Sequence, residues 1–472
     1  MADTKKQIIL NAFNMNCVGH INHGLWTHPR DRSVDYNTLP YWTELARTLE
    51  RGLFDGLFLA DIVGVYDIYQ GNVDLTLRES IQLPVNDPLL LVPAMAAVTR
   101  HLGFGVTVNL SYEEPYLLAR RFSTLDHLTQ GRIGWNIVTG YLDSAARAMG
   151  RAQQLPHDER YDLADEYLEV LYKLWEGSWE DGAVRRDKAG RLFADPARVH
   201  PVHHRGRYFQ VDGYHLSEPS PQRTPLLFQA GASGRGQQFA ARHAECTFVS
   251  SANRASTRAL VDDARRQARA AGRDPAALKV LMGITVVVAP TAQEAREKYA
   301  EYQHHASAEA GLAHFCAGAG VDFSQFDPDT PLQDFKSNGI ESAVRRVTGG
   351  RADYTVRHLL ETLSLGGRYA TVVGDPQQVA DQLQGWMDDT GIDGFNLTRT
   401  VTPESYQDFI DLVVPELQSR GIYKTRYAEG TLRQKLYGGA ALLPDSHPAA
   451  GFRHGAAPAR SRVGEEVTVP AF

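Results

Sequence analysis

Short runs of consecutive apolar residues alternate with amphipathic segments along almost the whole chain. QIILNAF (7–13), FDGLFLAD (54–61), LGFGVTVNL (102–110), RIGWNIVT (132–139), PLLFQA (225–230), CTFVSS (246–251), VLMGITVVVA (280–289) and DGFNLT (393–398) read as strands. Helical spacing of apolar residues marks 40–52, 88–101, 114–131, 157–177, a segment opening at Gln237, and 254–272, 291–306, 375–389 and 403–421. Strands made of near-continuous apolar runs are covered on both faces. Eight strand–helix units in succession predict a parallel sheet closed into a (β/α)8 TIM barrel. An open doubly wound sheet is the alternative, and it calls for Gly-x-Gly-x-x-Gly after the first strand, which the loop following QIILNAF lacks.

Three stretches interrupt the repeat, about 62–87, 178–224 and 307–370, and in a barrel such insertions build the C-terminal mouth. The second carries GRYFQVDG and several prolines, predicting a small hairpin subdomain. Residues 1–437 therefore form a single barrel domain. The Ala-, Pro- and Gly-rich end, 438–472, is expected to be an extended arm on the surface or on a neighbouring subunit.

Composition narrows the function by exclusion. A formal charge of −7 over 472 residues, with no basic patch, gives no nucleic-acid footprint. No apolar run approaches a membrane span and the first residues lack a signal peptide, so a cytoplasmic protein is expected. Cys17, Cys246 and Cys316 are far apart, which suggests neither a disulfide framework nor a zinc site.

At the strand ends stand Phe13, Asn14, Asp61, Thr107, Asn109, Asn136 and Thr139. The set is polar and mostly uncharged. It holds one carboxylate, against a paired-carboxylate glycosidase, and no metal-ligand spacing. Such residues suit the rim of a large neutral heterocycle. Asp61 is either a cofactor partner or a helix cap. His157 and Tyr161 share one helix face, where they either reach a ligand or serve the fold. His20, His23 and His28 crowd the loop after the first strand with Trp26, a polar–aromatic substrate pocket by composition. His203–His204 and His304–His305 read as surface histidines.

The turn GASGRG (231–236) joins an apolar run to a helix and admits three readings. Free N–H groups at the helix start suit a phosphate. Gly-x-Ser-x-Gly would make Ser233 the nucleophile of an α/β serine hydrolase, but the position two residues on is the bulky Arg235. The third is an ordinary connection.

LERGLFDGLFLAD (49–61), AMAAVTRHLGFG (94–105), ARRFSTLDHLTQGRIGWNIVTG (119–140), HDERYDLADEYLEVLYKLW (157–175) and FQAGASGRGQQFAARHAE (228–245) resemble the nitrilotriacetate/dibenzothiophene-sulfone monooxygenase group of the bacterial luciferase-like flavin monooxygenases, over about residues 7–437. NMNCVGHINHGLWTHP, LPVNDP and DSHPAAGFR are most similar to its dimethylsulfide-oxidising members. The resemblance implies a barrel that binds reduced FMN (FMNH2) at its mouth and uses O2 to oxidise and cleave a small organosulfur compound. A halogenated aromatic, an amine-carboxylate, or a flavin-binding barrel without catalysis are the alternatives. Asp61, Thr107, Asn136, His157, Tyr161, Ser233 and Gly234 would hold FMN, Ser233 and Gly234 at its phosphate. His20 would orient or protonate oxygen at the flavin, with Phe13 and Trp26 beside the substrate. A separate NAD(P)H-dependent FMN reductase would supply the flavin, and relatives suggest a homodimer or homotetramer. Where the sulfone enzymes carry a second pocket histidine, this chain reads HFCAGAGVDF, with small residues near Ala317, a departure that bears on substrate.

Overall fold

In the computed structural model, described over residues 6–455 apart from 232, 252, 330, 333–353 and 368, the eight expected strands close on one another. They are β1 (Ile9–Met15), β2 (Gly56–Ala60), β3 (Gly103–Asn109), β4 (Ile133–Val138), β5 (Leu226–Gln229), β6 (Cys246–Val249), β7 (Lys279–Val288) and β8 (Gly394–Thr398). All pair in parallel. The ring closes where β6 meets β7, with Cys246 opposite Lys279, and where β8 returns to β1, with Thr398 opposite Phe13. The architecture is a (β/α)8 barrel.

Aromatic rings fill its interior. Phe58 lies with its ring centroid 5.4 Å from Phe228 and 4.7 Å from Phe248. Glycines on the neighbouring strands make room for them: a Cβ at Gly134 would stand 2.6 Å from the Phe228 ring. A short helix, Leu432–Tyr437, closes the N-terminal end, where Leu432 packs against Gly103.

The principal helices are α1 (Leu39–Arg51), α2 (Val92–Ala97), α3 (Pro115–Leu128), α4 (His157–Tyr172), α5 (Gly234–His243), α6 (Arg254–Ala270), α7 (Ala292–His305), α8 (Ala308–Ala319), α9 (Val356–Leu363) and α10 (Pro376–Thr390). Side-chain caps start several of them, including capping boxes at Thr291 and Asp375. α5 begins at Gly234, three residues before the expected start, because Ser233 already supplies the cap.

The seventh unit departs from the simple repeat. β7 outruns β6, and its upper half pairs with a ninth strand, Ala370–Gly374, with Ile284 opposite Ala370 and Val288 opposite Gly374. That strand begins at the very edge of the stretch expected to be irregular. α7, next in the chain after β7, lies against this extension and the loop after β1. The helix packed between α6 and the final helical segment is α10. The insertion after β7 is thus spliced into the unit ahead of its barrel helix.

Two insertions share a separate apolar core. Tyr66, Tyr69, Leu75 and Ile81 from 62–87 pack with Leu312, Cys316, Phe323 and Leu359 from the region after α7. The 178–224 insertion forms two small antiparallel hairpins, Val184–Asp187 with Leu192–Ala194 and Val202–Arg205 with Gln210–Gly213. Of the C-terminal segment, the described part lies on this chain's own surface: Phe452 packs near Tyr172, and Arg453 donates to Glu176 at 2.7 Å. Residues 456–472 lie outside the described residues. All three cysteines are free and buried.

Candidate functional site

The C-terminal mouth of the barrel has two halves. Over β2 to β5 it is polar. Thr107 and Asn136 are buried at adjacent strand ends, and the Asn136 amide donates to the Thr107 hydroxyl at 2.8 Å. The other amide atom, Asn136 Oδ1, is buried without a partner among the described residues. A buried acceptor left unpaired costs about 1–3 kcal/mol, and a ligand N–H would relieve it.

Asp61 follows the end of β2, half-buried. Burial pushes its carboxyl up to about 7, with a smaller push from Asp87 and an opposing pull from the Ile62 N–H. A carboxyl raised this far above its ordinary 3.8 binds protons more tightly folded than unfolded. Its contribution to stability is therefore present at low pH and is lost as pH climbs through that window, where the charged form is desolvated. Asp61→Asn is expected to be more stable than the parent at pH 8, with the gain shrinking as pH falls below 7. Urea unfolding at pH 8 and pH 5 measures it, and an equal gain at both would refute the assignment.

At the end of β5 the chain turns sharply into α5. Ser233 caps that helix: its Oγ accepts the Gly236 N–H at 3.0 Å. No acidic residue occupies the first turn, and a Cβ at Gly234 would meet nothing within 4 Å. The backbone of Ser233 is extended, φ −77° and ψ 159°, so the strained geometry of a nucleophile elbow is missing. Arg235 turns outward onto Asp162 at 2.9 Å and Asp165 at 2.6 Å, tying α5 to α4.

α4 opens on the same turn. The Tyr161 hydroxyl faces Ser233, Gln229 and Gly236; burial raises its pKa, and Ser233, Arg160 and Gln229 pull the other way. His157 lies one helical turn earlier, its ring centroid 5.2 Å from Tyr161, half exposed and bonded to Asp158 at 2.7 Å. Sequence inspection missed Arg160. Its guanidinium donates to the Gly140 carbonyl, its Nε is buried without a partner among the described residues, and burial lowers its pKa. The signal was in HDERY, where a cation stands beside the two residues that were singled out.

The other half of the mouth is a cavity of about 510 Å³ whose lining includes Ile21, His23, Phe315, Leu365 and Tyr369. His23 and His314 face one another in it, Nε2 to Nδ1 at 3.0 Å, and His314 stacks on Tyr66 at 4.9 Å. Burial holds His23 down to about 4, so it is neutral near pH 7. His314 is the first residue of the HFCAGAGVDF run, so a second cavity histidine is present after all. Ala317, among the small residues of that run, lies nearly one helical turn further along α8.

Phe13 joins the two halves, with its ring 4.6 Å from His20, edge-on, and 5.6 Å from Phe58. His20 is buried. Trp26 does not line the large cavity. It lies with Val18, His20, Asn22 and Arg399 around a separate small recess, because the loop after β1 folds back over Arg399, which donates to the Cys17 carbonyl at 3.0 Å. His28 turns away to Glu301, 3.2 Å distant. His204, expected on the surface, is buried against Glu166 and Lys173.

A parallel barrel with a polar rim, an open helix start and an aromatic–histidine cavity at the C-terminal mouth is the build of a barrel enzyme, with room for an anionic heterocycle beside a second ligand. Residues 21–394 match the family model described as luciferase-like monooxygenase. The chain belongs to that family and is a monooxygenase. It is 50% identical over 452 residues to the dimethyl-sulfide monooxygenase of Hyphomicrobium sulfonivorans, covering 95% of this chain and 94% of the relative. It is 51% identical over 452 residues to the long-chain alkane monooxygenase of Geobacillus thermodenitrificans (strain NG80-2), covering 95% and 98%. The crystal structure of a riboflavin lyase with modified FMN superimposes with a TM-score of 0.89 at 38% identity, covering 95% of this chain and all of that one.

Proposed function

We propose that the chain is the oxygenase of a two-component system that takes reduced FMN from a separate NAD(P)H-dependent reductase and uses O2 to oxidise a small neutral organosulfur compound, breaking a C–S bond. The observation that carries the flavin half is the unpaired Asn136 acceptor beside Thr107, in line with the capped, acid-free start of α5. The donor set fits FMN. Asn136, Thr107 and Asp61 would meet the polar edge of the ring system. Ser233, Gly234 and the first N–H groups of α5, with Tyr161 and His157, would hold the phosphate. Bound there, the reduced flavin supplies the electrons that activate O2.

This chain's residues bind, orient and exclude water. Phe13 and Phe58 would present an apolar surface beside the flavin and the substrate, leaving the two in contact, and His20 lies edge-on to Phe13, buried, where it can hold or donate a proton. Of the His23–His314 pair, one ring donates and the other accepts, which orients the pair without charging it. His20→Ala is expected to lower turnover at least about 100-fold with flavin affinity unchanged, the size of a lost general acid–base contact at the low end. Full turnover in that variant, assayed with supplied FMNH2, would remove His20 from the chemistry.

The substrate reading rests on the cavity wall. Ile21, Phe315, Leu363 and Leu365 are apolar, and no lysine or arginine is among its described lining residues. That disfavours a polyanionic amine-carboxylate. The same apolar wall, and the alkane-oxidising relative, support a second reading in which an alkane is the substrate. A screen with FMNH2 and O2 over dimethyl sulfide, linear alkanes, aryl sulfones, chlorinated aromatics and nitrilotriacetate tests both. Thioether turnover above all others is expected, and turnover of nitrilotriacetate alone would overturn the proposal.

A further inference from the structure

Away from the mouth, at the C-terminal end of α4, segments remote in sequence converge. The chain leaves α4 through Gly177, and an antiparallel bridge between Trp179 and Val199 brings the two ends of the first hairpin together. Glu180 and His200 flank that bridge, Oε1 2.8 Å from Nε2. The C-terminal segment passes over them and lays the His454 ring on His200, centroids 4.0 Å apart and planes at 32°. One ligand atom from each of the three residues lies within 4.8 Å of the others.

We propose that Glu180, His200 and His454 form a site for a divalent transition-metal ion of the zinc type, which ties the C-terminal segment to the 178–224 insertion. Two imidazoles and a carboxylate are a donor set suited to such an ion, with a fourth position left for water. The surroundings orient the donors as outer partners do in metal sites. His454 Nε2 donates to the Gly177 carbonyl at 2.6 Å, which leaves Nδ1 with the free lone pair. Glu180 Oε2 faces Arg198 at 3.4 Å, so Oε1 is the carboxylate oxygen turned to the histidine side. The backbone of His200 is fixed at both ends: its N–H donates to the Ser178 carbonyl at 2.7 Å, and its carbonyl accepts the Ser178 hydroxyl at 2.9 Å.

Donors of a tetrahedral zinc stand about 3.3 Å apart, given bonds of about 2.0–2.1 Å. Binding would draw the three atoms, which lie within 4.8 Å of one another, together to that spacing. The His200 proton then sits on Nδ1, and the Glu180–His200 hydrogen bond is exchanged for a shared bond to the metal. The bound ion would reinforce contacts already made by Arg453 with Glu176 and by Phe452 beside Tyr172.

The test uses the full chain, freed of any affinity tag and of metal by chelation and desalting. Titration with Co²⁺ followed by visible absorption, and with Zn²⁺ by calorimetry, is expected to show one saturable site and a raised melting temperature. His454→Ala and His200→Ala should each weaken binding at least about tenfold and remove the thermal shift, since even outer partners of a metal ligand count for that much. His203→Ala, altering the neighbouring exposed histidine, should bind as the parent does. Should His454→Ala destabilise the C-terminal segment, His454→Gln keeps a donor for Gly177 while removing the ligand, and must show the same loss. Binding unchanged in His454→Ala and His454→Gln, or no saturable binding of either metal, would overturn the proposal.

Discussion

Replacing Ser233 with aspartate is expected to weaken FMN binding by more than about 100-fold while leaving the protein at least as stable as before. The substitution separates two roles that the side chain holds at once. As a helix cap, Ser233 accepts the Gly236 N–H at 3.0 Å, and aspartate is as good a cap. The first turn of α5 carries no acidic residue, so a carboxylate there also gains from the helix dipole. As part of the proposed phosphate site, the same carboxylate faces an anion. Two unit charges about 4 Å apart at a partly screened surface repel by about 4 kcal/mol, and half of that already exceeds a tenfold effect. Titration with FMN and with riboflavin, followed by flavin fluorescence, distinguishes phosphate repulsion from general damage. Riboflavin, without the phosphate, should lose little. An equal loss for both flavins, or unchanged FMN affinity, would sink the phosphate assignment.

The strands were legible in the sequence because a barrel strand buried on both faces is a continuous apolar run, and all eight runs recur within a few residues of their expected places. What the pattern could not carry was the seventh unit. Ala370–Gly374 is as β-prone as any barrel strand, but it lies next to glycines at the end of a long insertion, and its partner is the overhang of β7. Only knowing that β7 outruns β6 reveals it. Site residues divide in the same way. Thr107, Asn136 and Ser233 stand at strand ends or helix starts, where topology alone fixes their direction. Trp26, His28 and His314 sit on loops and insertion helices, and their directions depend on contacts with distant segments. Arg399 draws the first loop inward. Tyr66, from another insertion, sets the plane of His314. Composition placed the histidines near one another, but it could not say which of them face the cavity.

The second large effect is expected far from the mouth, at Arg433. Its side chain is almost wholly buried and makes a paired contact with Glu245, at 2.6 Å and 2.9 Å, with neither partner more than 4% exposed. The guanidinium also donates to the carbonyls of Thr224 at 2.9 Å and Pro225 at 3.1 Å, and the other end of the network is Leu227, whose N–H donates to Glu245 at 3.0 Å. One residue of the closing helix thus pins the entry of β5 and the residue just before β6. Such a pair adds little beyond a well-packed apolar substitute, but removing one member leaves a buried charge alone. Arg433→Leu is accordingly expected to lower unfolding free energy by about 3–5 kcal/mol. Glu245→Gln combined with Arg433→Leu should recover part of it, because the orphaned carboxylate is gone. Urea unfolding of the two variants against the parent gives the comparison. A loss below about 1 kcal/mol in the single variant would mean that water or a shifted neighbour reaches Glu245. A double variant no better than the single would place the cost in the lost bonds to the Thr224 and Pro225 carbonyls, and so in the backbone that leads into β5.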